Sequence, residues 1–187
     1  MELETFILAG GKSTRMGSDK GLLLFNGKPM VSYSISLASH FSKSITIISS
    51  NAEYSNFDAN LLSDELKNIG PMGGIYTALL HCKTENVLIL TVDSPFVSSN
   101  LIDMLVKSHN HNEVSYLEHK TRIYPLTAIY RKASLQVIKQ QIDTGNYKVR
   151  DCFNNLRSNS VEVDVEQSYQ LTNINTLNDL KTNESNR

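Results

Sequence analysis

The sequence predicts an α/β fold: a mainly parallel, twisted sheet with helices on both faces, three layers in all. Two patterns carry that expectation. Short apolar, β-branched runs alternate with stretches of helical spacing through the first two-thirds of the chain, the order that a parallel sheet with crossover helices requires. Several runs end in glycine or aspartate, at Gly10-Gly11, Asp64 and Asp93, and ligands of such sheets bind beyond the carboxyl ends of the strands. The length agrees. A chain of 187 residues makes one domain, 1–187, that buries about 70% of its unfolded surface and needs no disulfide or metal staple.

Residues 5–9 (TFILA) are a buried strand closed by Gly10-Gly11 and followed by a loop that extends to about Lys28. Pro29 then opens a helix, where its missing N–H costs nothing, and Val31, Ile35 and Ala38 share one face. Residues 44–49 (SITIIS) form the second strand. The polar stretch 51–60 is a connection with room for a helical turn, and 61–62 a short strand ending at Asp64. Gly70-Pro71-Met72-Gly73-Gly74 is a loop before a helix that carries Ile75, Leu79 and Leu80 and ends near Cys82. Residues 86–92 form an apolar strand leading to Asp93. Ser98 or Ser99 caps a helix with Leu101, Ile102, Leu105 and Val106 on one face. Strands follow at 114–117 and 126–130, separated by the charged segment 118–122. A helix over 133–144 turns Leu135, Ile138 and Ile142 inward and stops at Gly145. A strand at 161–165, a short helix at 175–181 and a frayed tail over 182–187 complete the chain.

Composition removes several function classes. The 18 Lys+Arg against 19 Asp+Glu leave a net charge of -1, which argues against a general nucleic-acid binder. Apolar runs such as 87–90 fall far short of the ~20 residues of a membrane span. The acidic start Met1-Glu2-Leu3-Glu4 reads as no signal peptide. Cys82 and Cys152 lie far apart and make no CxxC, which places the chain in a reducing cytoplasm.

The loop after the first strand carries the strongest chemical signal. Gly10, Gly11 and Gly17 permit close backbone approach, and exposed N–H groups in such a turn make an anion-binding concavity. Lys12, Arg15, Lys20 and Lys28 add cations opposed only by Asp19. A triphosphate fits this charge; so does an exposed basic loop whose glycines serve only its turns. A dinucleotide fingerprint is excluded because Lys12 follows Gly11. A P-loop would need its first glycine at Phe6, inside the strand. Asp93, at a strand end and held by Pro95, suits Mg²⁺, which one or two carboxylates and substrate phosphates commonly bind; alternatively it caps the turn before the proline. Asp64 could contact a ribose, assist a metal or begin a turn with Glu65. Gly70 to Gly74 could admit a flat base or a phosphate, or serve as a turn and helix start. His109, His111 and His119 read as solvated polar residues, and Cys82 and Cys152 as ordinary thiols.

Leu8-Ala9-Gly10-Gly11-x-Ser13-x-Arg15-Met16-Gly17-x-Asp19-Lys20 resembles the opening signature of the MobA-like nucleotidyltransferases. Further matches follow in order: Asn26-Gly27-Lys28-Pro29, Ser63-Asp64-Glu65, Gly70-Pro71-Met72-Gly73-Gly74-Ile75, Thr91-Val92-Asp93-Ser94-Pro95-Phe96, Tyr124-Pro125-Leu126-Thr127 and Asn173-Ile174-Asn175-Thr176. Where many relatives have Cys-Asp-Met-Pro, this chain has Val92-Asp93-Ser94-Pro95. The resemblance implies a Rossmann-like nucleotidyltransferase fold and the transfer of GMP from GTP to the terminal phosphate of molybdenum-molybdopterin, with release of pyrophosphate. It implies backbone contacts to the nucleotide from Leu8, Ala9, Gly10 and Gly11. Lys20 and Arg15 would neutralise phosphates, Asp93 would hold Mg²⁺ and contact the nucleotide, Asp64 would contact the nucleotide, and Gly73 and Gly74 would border the base. The implied partners are the molybdenum insertase and apo-molybdoenzymes, and the implied state is a monomer. A cytidylyltransferase of the same cofactor, a transferase for another phosphorylated acceptor, and a nucleotide-binding regulator without catalysis are the alternatives. Lys20 and Asp93 together argue against the last.

Overall fold

The computed structural model describes residues 1–10 and 19–185. The first strand, β1 (Leu3–Leu8), is buried along its whole length, because it runs between two parallel neighbours and is covered on both faces. A two-residue hairpin follows, β2 (Leu24–Phe25) and β3 (Lys28–Pro29), in a segment expected to be loop throughout. Then come α1 (Met30–Ala38), β4 (Ile45–Ile48), β5 (Asn60–Leu62), α2 (Pro71–His81), β6 (Asn86–Thr91), α3 (Ser99–His109), β7 (Val114–His119), β8 (Arg122–Arg131), α4 (Leu135–Asp143), β9 (Ser158–Glu162) and α5 (Leu177–Ser185).

Seven strands make one sheet in the order β5-β4-β1-β6-β8-β7-β9, in which β8 alone runs against the others. The expected mainly parallel sheet is therefore present. Its three layers follow from the period of two along a strand. Ile7, Ile47, Leu88 and Leu90 join the core that includes Val31 of α1 and Leu101 and Leu105 of α3. Phe6, Leu8, Ile48, Val87 and Ile89 join the opposite core, with Ile75 and Leu79 of α2 and Ile138 of α4. No helix among the described residues is long and apolar enough to cross a membrane.

Four expectations are corrected. The helix α2 begins at Pro71, so Gly73 and Gly74 lie inside it rather than in a preceding loop; Gly70, at φ +64°, makes the turn. The charged segment 118–122 is mostly strand, because β7 and β8 extend to a tight turn at Lys120–Thr121. The last strand is 158–162, not 161–165. It is an edge strand whose register is set by parallel pairing with β7 (Val114↔Ser158), so its own valines do not decide its position, and Val165 is exposed. Ser98 precedes α3 but its Oγ makes no helix-capping hydrogen bond.

His109 also departs from expectation. It is fully buried, with Nδ1 3.0 Å from Ser115 Oγ and Nε2 3.1 Å from Asn86 Oδ1. Burial, helped by the charge of Arg131, pushes its pKa down to about 4. The unfolded chain takes up this proton below about pH 6.5 and the folded chain only near pH 4. Stability is therefore expected to fall as pH drops through that window, by roughly 3 kcal/mol when complete. Denaturant unfolding at pH 7, 6, 5 and 4 checks this: the His109→Gln variant should show a shallower slope than the wild type.

Candidate active site

The strands β1, β4, β5 and β6 are parallel, so their carboxyl ends share one edge. Ala9-Gly10, Ser49, Ser63-Asp64 and Val92-Asp93 therefore gather there, as the position of the motifs at strand ends foretold. The sheet itself uses part of this backbone: Ala9 N–H donates to Ile48 O (3.1 Å) and Leu8 O accepts from Val92 N–H (3.4 Å). Gly11 and Arg15 lie outside the described residues.

Asp93 leaves β6 with its carboxylate held on both oxygens. Oδ1 accepts from Thr91 Oγ1 at 2.5 Å and lies 3.3 Å from Ser94 Oγ. Oδ2 lies 3.6 Å from Lys20 Nζ and accepts from Asn173 Nδ2 at 3.4 Å. Lys20 Nζ also donates to Asn175 Oδ1 at 3.0 Å. The side chains of Lys20 and Asp93 are 17% and 23% exposed, so an incoming ligand can reach both charges. The two residues on which the sequence placed most of the chemistry thus meet, although 73 positions separate them by their numbers.

Lys20 is aimed by its predecessor. Asp19 caps the short turn Lys20–Leu22, accepting from Gly21 N–H at 3.1 Å. It is itself held by Asn51 Nδ2 (3.0 Å) and Tyr54 Oη (2.5 Å). Both donors come from the stretch expected to be a connection with a helical turn; that turn is present over Ala52–Asn56, but no pattern within 51–60 signals the contact to Asp19. The other unassigned contributors, Asn173 and Asn175, arrive from the far end of the chain. Ile174 N–H donates to Asp93 O at 2.8 Å, and Ile174 packs with Phe25, Met30 and Leu180 of α5. The Asn-x-Asn-Thr signature was visible in the sequence, but not its place.

Asp64 stands beside Gly10: a Cβ built on Gly10 would lie 3.4 Å from Asp64 Oδ2, in ordinary contact. Its Oδ1 is buried with no hydrogen-bond partner among the described residues, and burial pushes its carboxyl pKa up. An orphaned oxygen costs about 1–3 kcal/mol, which a donor on a ligand would recover. Gly73 and Gly74 are buried. A Cβ on Gly73 would lie 2.6 Å from Leu66 O, and one on Gly74 2.8 Å from Leu8 Cδ2. Glycine at these positions lets α2 pack directly on β1 and on the loop before it. Along the same edge, because β8 is antiparallel to β6, a cleft of about 470 Å³ opens between Arg122, Pro125, Lys148 and Arg150.

No group of three or more His, Cys, Asp or Glu among the described residues could enclose a metal. A Mg²⁺ ion needs less: one carboxylate and the phosphates of a substrate suffice. Asp93 offers such a hard oxygen, partly exposed and oriented by Thr91.

A family model described as the MobA-like NTP transferase domain matches residues 5–161. A Flavobacterium johnsoniae protein named "Probable molybdenum cofactor guanylyltransferase" is 36% identical over 185 residues, 97% of each chain. A Histophilus somni protein named "Molybdenum cofactor guanylyltransferase" is 30% identical over 185 residues, 96% of this chain and 94% of its own. Among solved structures, molybdopterin-guanine dinucleotide biosynthesis protein A from Archaeoglobus fulgidus superposes with a TM-score of 0.82 at 22% identity, over 97% of both chains; that likeness concerns the fold.

Proposed function

This chain belongs to the family of MobA-like NTP transferase domains, and from that premise we propose how its site works: it transfers GMP from GTP to the terminal phosphate of molybdenum-bound molybdopterin and releases pyrophosphate. It is a nucleotidyltransferase. The observation that carries the mechanism is the pairing of Lys20 Nζ with Asp93 Oδ2, 3.6 Å apart beyond the ends of β1 and β6.

An oxygen of the acceptor phosphate attacks the α-phosphorus of GTP. A P–O bond forms there, and the bond to the bridging oxygen of the departing pyrophosphate breaks. The attacking oxygen already carries negative charge, so no general base is required. Catalysis is then positioning and charge neutralisation. Lys20, held by Asn175 and Asp93, presents an ammonium to the phosphates and to the pyrophosphate as its charge develops. Arg15 adds a second cation. Asp93 would hold Mg²⁺, which when bound would supply Lewis-acid polarisation of the phosphate oxygens. The backbone of Leu8, Ala9 and Gly10 at the end of β1 contacts the nucleotide, and the same role is proposed for Gly11. Asp64 Oδ1 accepts from a donor group of the nucleoside, which ends its isolation, and Asp93 also borders the nucleotide. Gly73 and Gly74 act indirectly, by setting α2 close to the base. The phosphorylated acceptor approaches from the cleft of Arg122, Lys148 and Arg150. Two free, buried cysteines support a reducing cytoplasm. The product passes to the molybdenum insertase or to apo-molybdoenzymes.

The test is pyrophosphate release with Mg²⁺ and molybdenum-loaded molybdopterin, with GTP, CTP, ATP and UTP in parallel. Release with GTP alone, dependent on both pterin and Mg²⁺, is the expected result. Release with CTP would retain the mechanism and move the base assignment. No release from folded protein that still binds GTP would overturn the acceptor.

A further inference from the structure

We infer that Tyr54 and Asn51 are positioning residues for Lys20: they clamp the Asp19 carboxylate and thereby fix the backbone from which Lys20 reaches Asp93. This rests on the reading of Lys20 as the cation that meets the nucleotide phosphates.

The clamp is built from two separate stretches of chain, 19–21 and 51–54. Tyr54 is fully buried in the core beneath the site, with its ring beside Phe57 at 6.1 Å between centroids. Only its hydroxyl has polar work, and it donates to Asp19 Oδ1. Burial and the adjacent carboxylate hold the phenol pKa well above its ordinary value, so the hydroxyl remains a donor. Asn51 is fixed at both ends of its amide: Oδ1 accepts from Glu53 N–H at 3.0 Å, and Nδ2 donates to Asp19 Oδ2 at 3.0 Å. Asp19 thus accepts from Tyr54, Asn51 and Gly21 N–H, all hydrogen bonds to a charged group, which are the strong kind. Gly21 is what admits the contact. A Cβ there would stand 2.2 Å from Tyr54 Oη and 3.1 Å from Val92 Cγ1. A carboxylate pinned on one side of the chain leaves the next residue, Lys20, directed to the other side, where Asp93 and Asn175 receive it. The long, flexible lysine stem is therefore anchored at its base as well as at its tip, which lowers the entropy it loses when a phosphate binds.

A double-mutant cycle separates positioning from mere stability. GTP affinity would be measured by calorimetry for the wild type, Lys20→Ala, Tyr54→Phe and the double variant. Lys20→Ala should bind GTP more weakly. Tyr54→Phe should weaken binding about three- to tenfold, the scale of one ordinary intramolecular hydrogen bond. In the Lys20→Ala background the Tyr54→Phe change should have no further effect. If the two losses multiply, or if Tyr54→Phe lowers only the melting temperature and binds GTP like the wild type, the positioning role is wrong. If Lys20→Ala alone binds and turns over like the wild type, the underlying reading of Lys20 falls, and the clamp has nothing to position. Asn51→Ala, run through the same cycle, carries the test if Tyr54→Phe yields too little folded protein.

Discussion

Lys20→Ala is expected to fold like the wild type and to release pyrophosphate about a hundred- to a thousand-fold more slowly. The size follows from the role. A charge aimed at phosphate oxygens in the transition state is worth about 10²–10³ in rate, and it is not replaced by water once the site is occupied. The structural cost is small. Lys20 Nζ lies 3.6 Å from Asp93 Oδ2, beyond hydrogen-bond distance, and Asp93 retains Thr91, Ser94 and Asn173 as partners. The check is turnover at saturating GTP beside a thermal melt of the same sample. A melting temperature within a few degrees of wild type, with turnover lost, meets the expectation. Turnover within about threefold of wild type would remove Lys20 from the mechanism.

Asp93→Ala should be at least as severe and should leave no measurable transfer. This substitution removes the only protein carboxylate placed to hold Mg²⁺ in the reading above, and it leaves the Thr91 and Ser94 hydroxyls without their shared acceptor. Asp93→Asn separates charge from shape. The amide keeps the volume and one oxygen, and the backbone carbonyl still accepts from Ile174. Its activity should return in part as Mg²⁺ is raised, and the Mg²⁺ titration should shift to higher concentration. An Asp93→Asn enzyme with an unaltered Mg²⁺ midpoint would place the metal elsewhere.

Those residues could be named from the sequence because their signals are local. Gly10 and Asp93 each end a short apolar strand, and parallel strands separated by helices deliver their carboxyl ends to one edge. Asp64 was legible for the same reason. The alternation of strands and helices is likewise a local property, read from a period of two or of 3.6. Gly73 and Gly74 were legible as special but not for what they do, since the contacts they permit, to Leu66 and Leu8, belong to the packed state.

What stayed hidden depends on long-range pairing. His109 sits in polar sequence at a helix end, and only the approach of Asn86 and Ser115 makes it a core residue. The last strand carries its valines at 161, 163 and 165, yet it is positioned by the ladder to β7 rather than by its own hydrophobicity. Tyr54 and Asn51 gave no sign of reaching Asp19, and Asn173 and Asn175 none of reaching Asp93 and Lys20.

The sequence by itself determined the α/β class and the sheet edge to which Gly10, Asp64 and Asp93 are delivered, and it named the charges proposed above to carry the chemistry. It could do so because strand period and chain punctuation are written within a few residues of one another. The tertiary structure alone decided how those charges are held: Asp19 by Tyr54 and Asn51, Lys20 by Asn175, Asp93 by Asn173. The distance between a lysine and its partner is set by the packing of the whole sheet and of the C-terminal segment against it, and no local pattern encodes that sum.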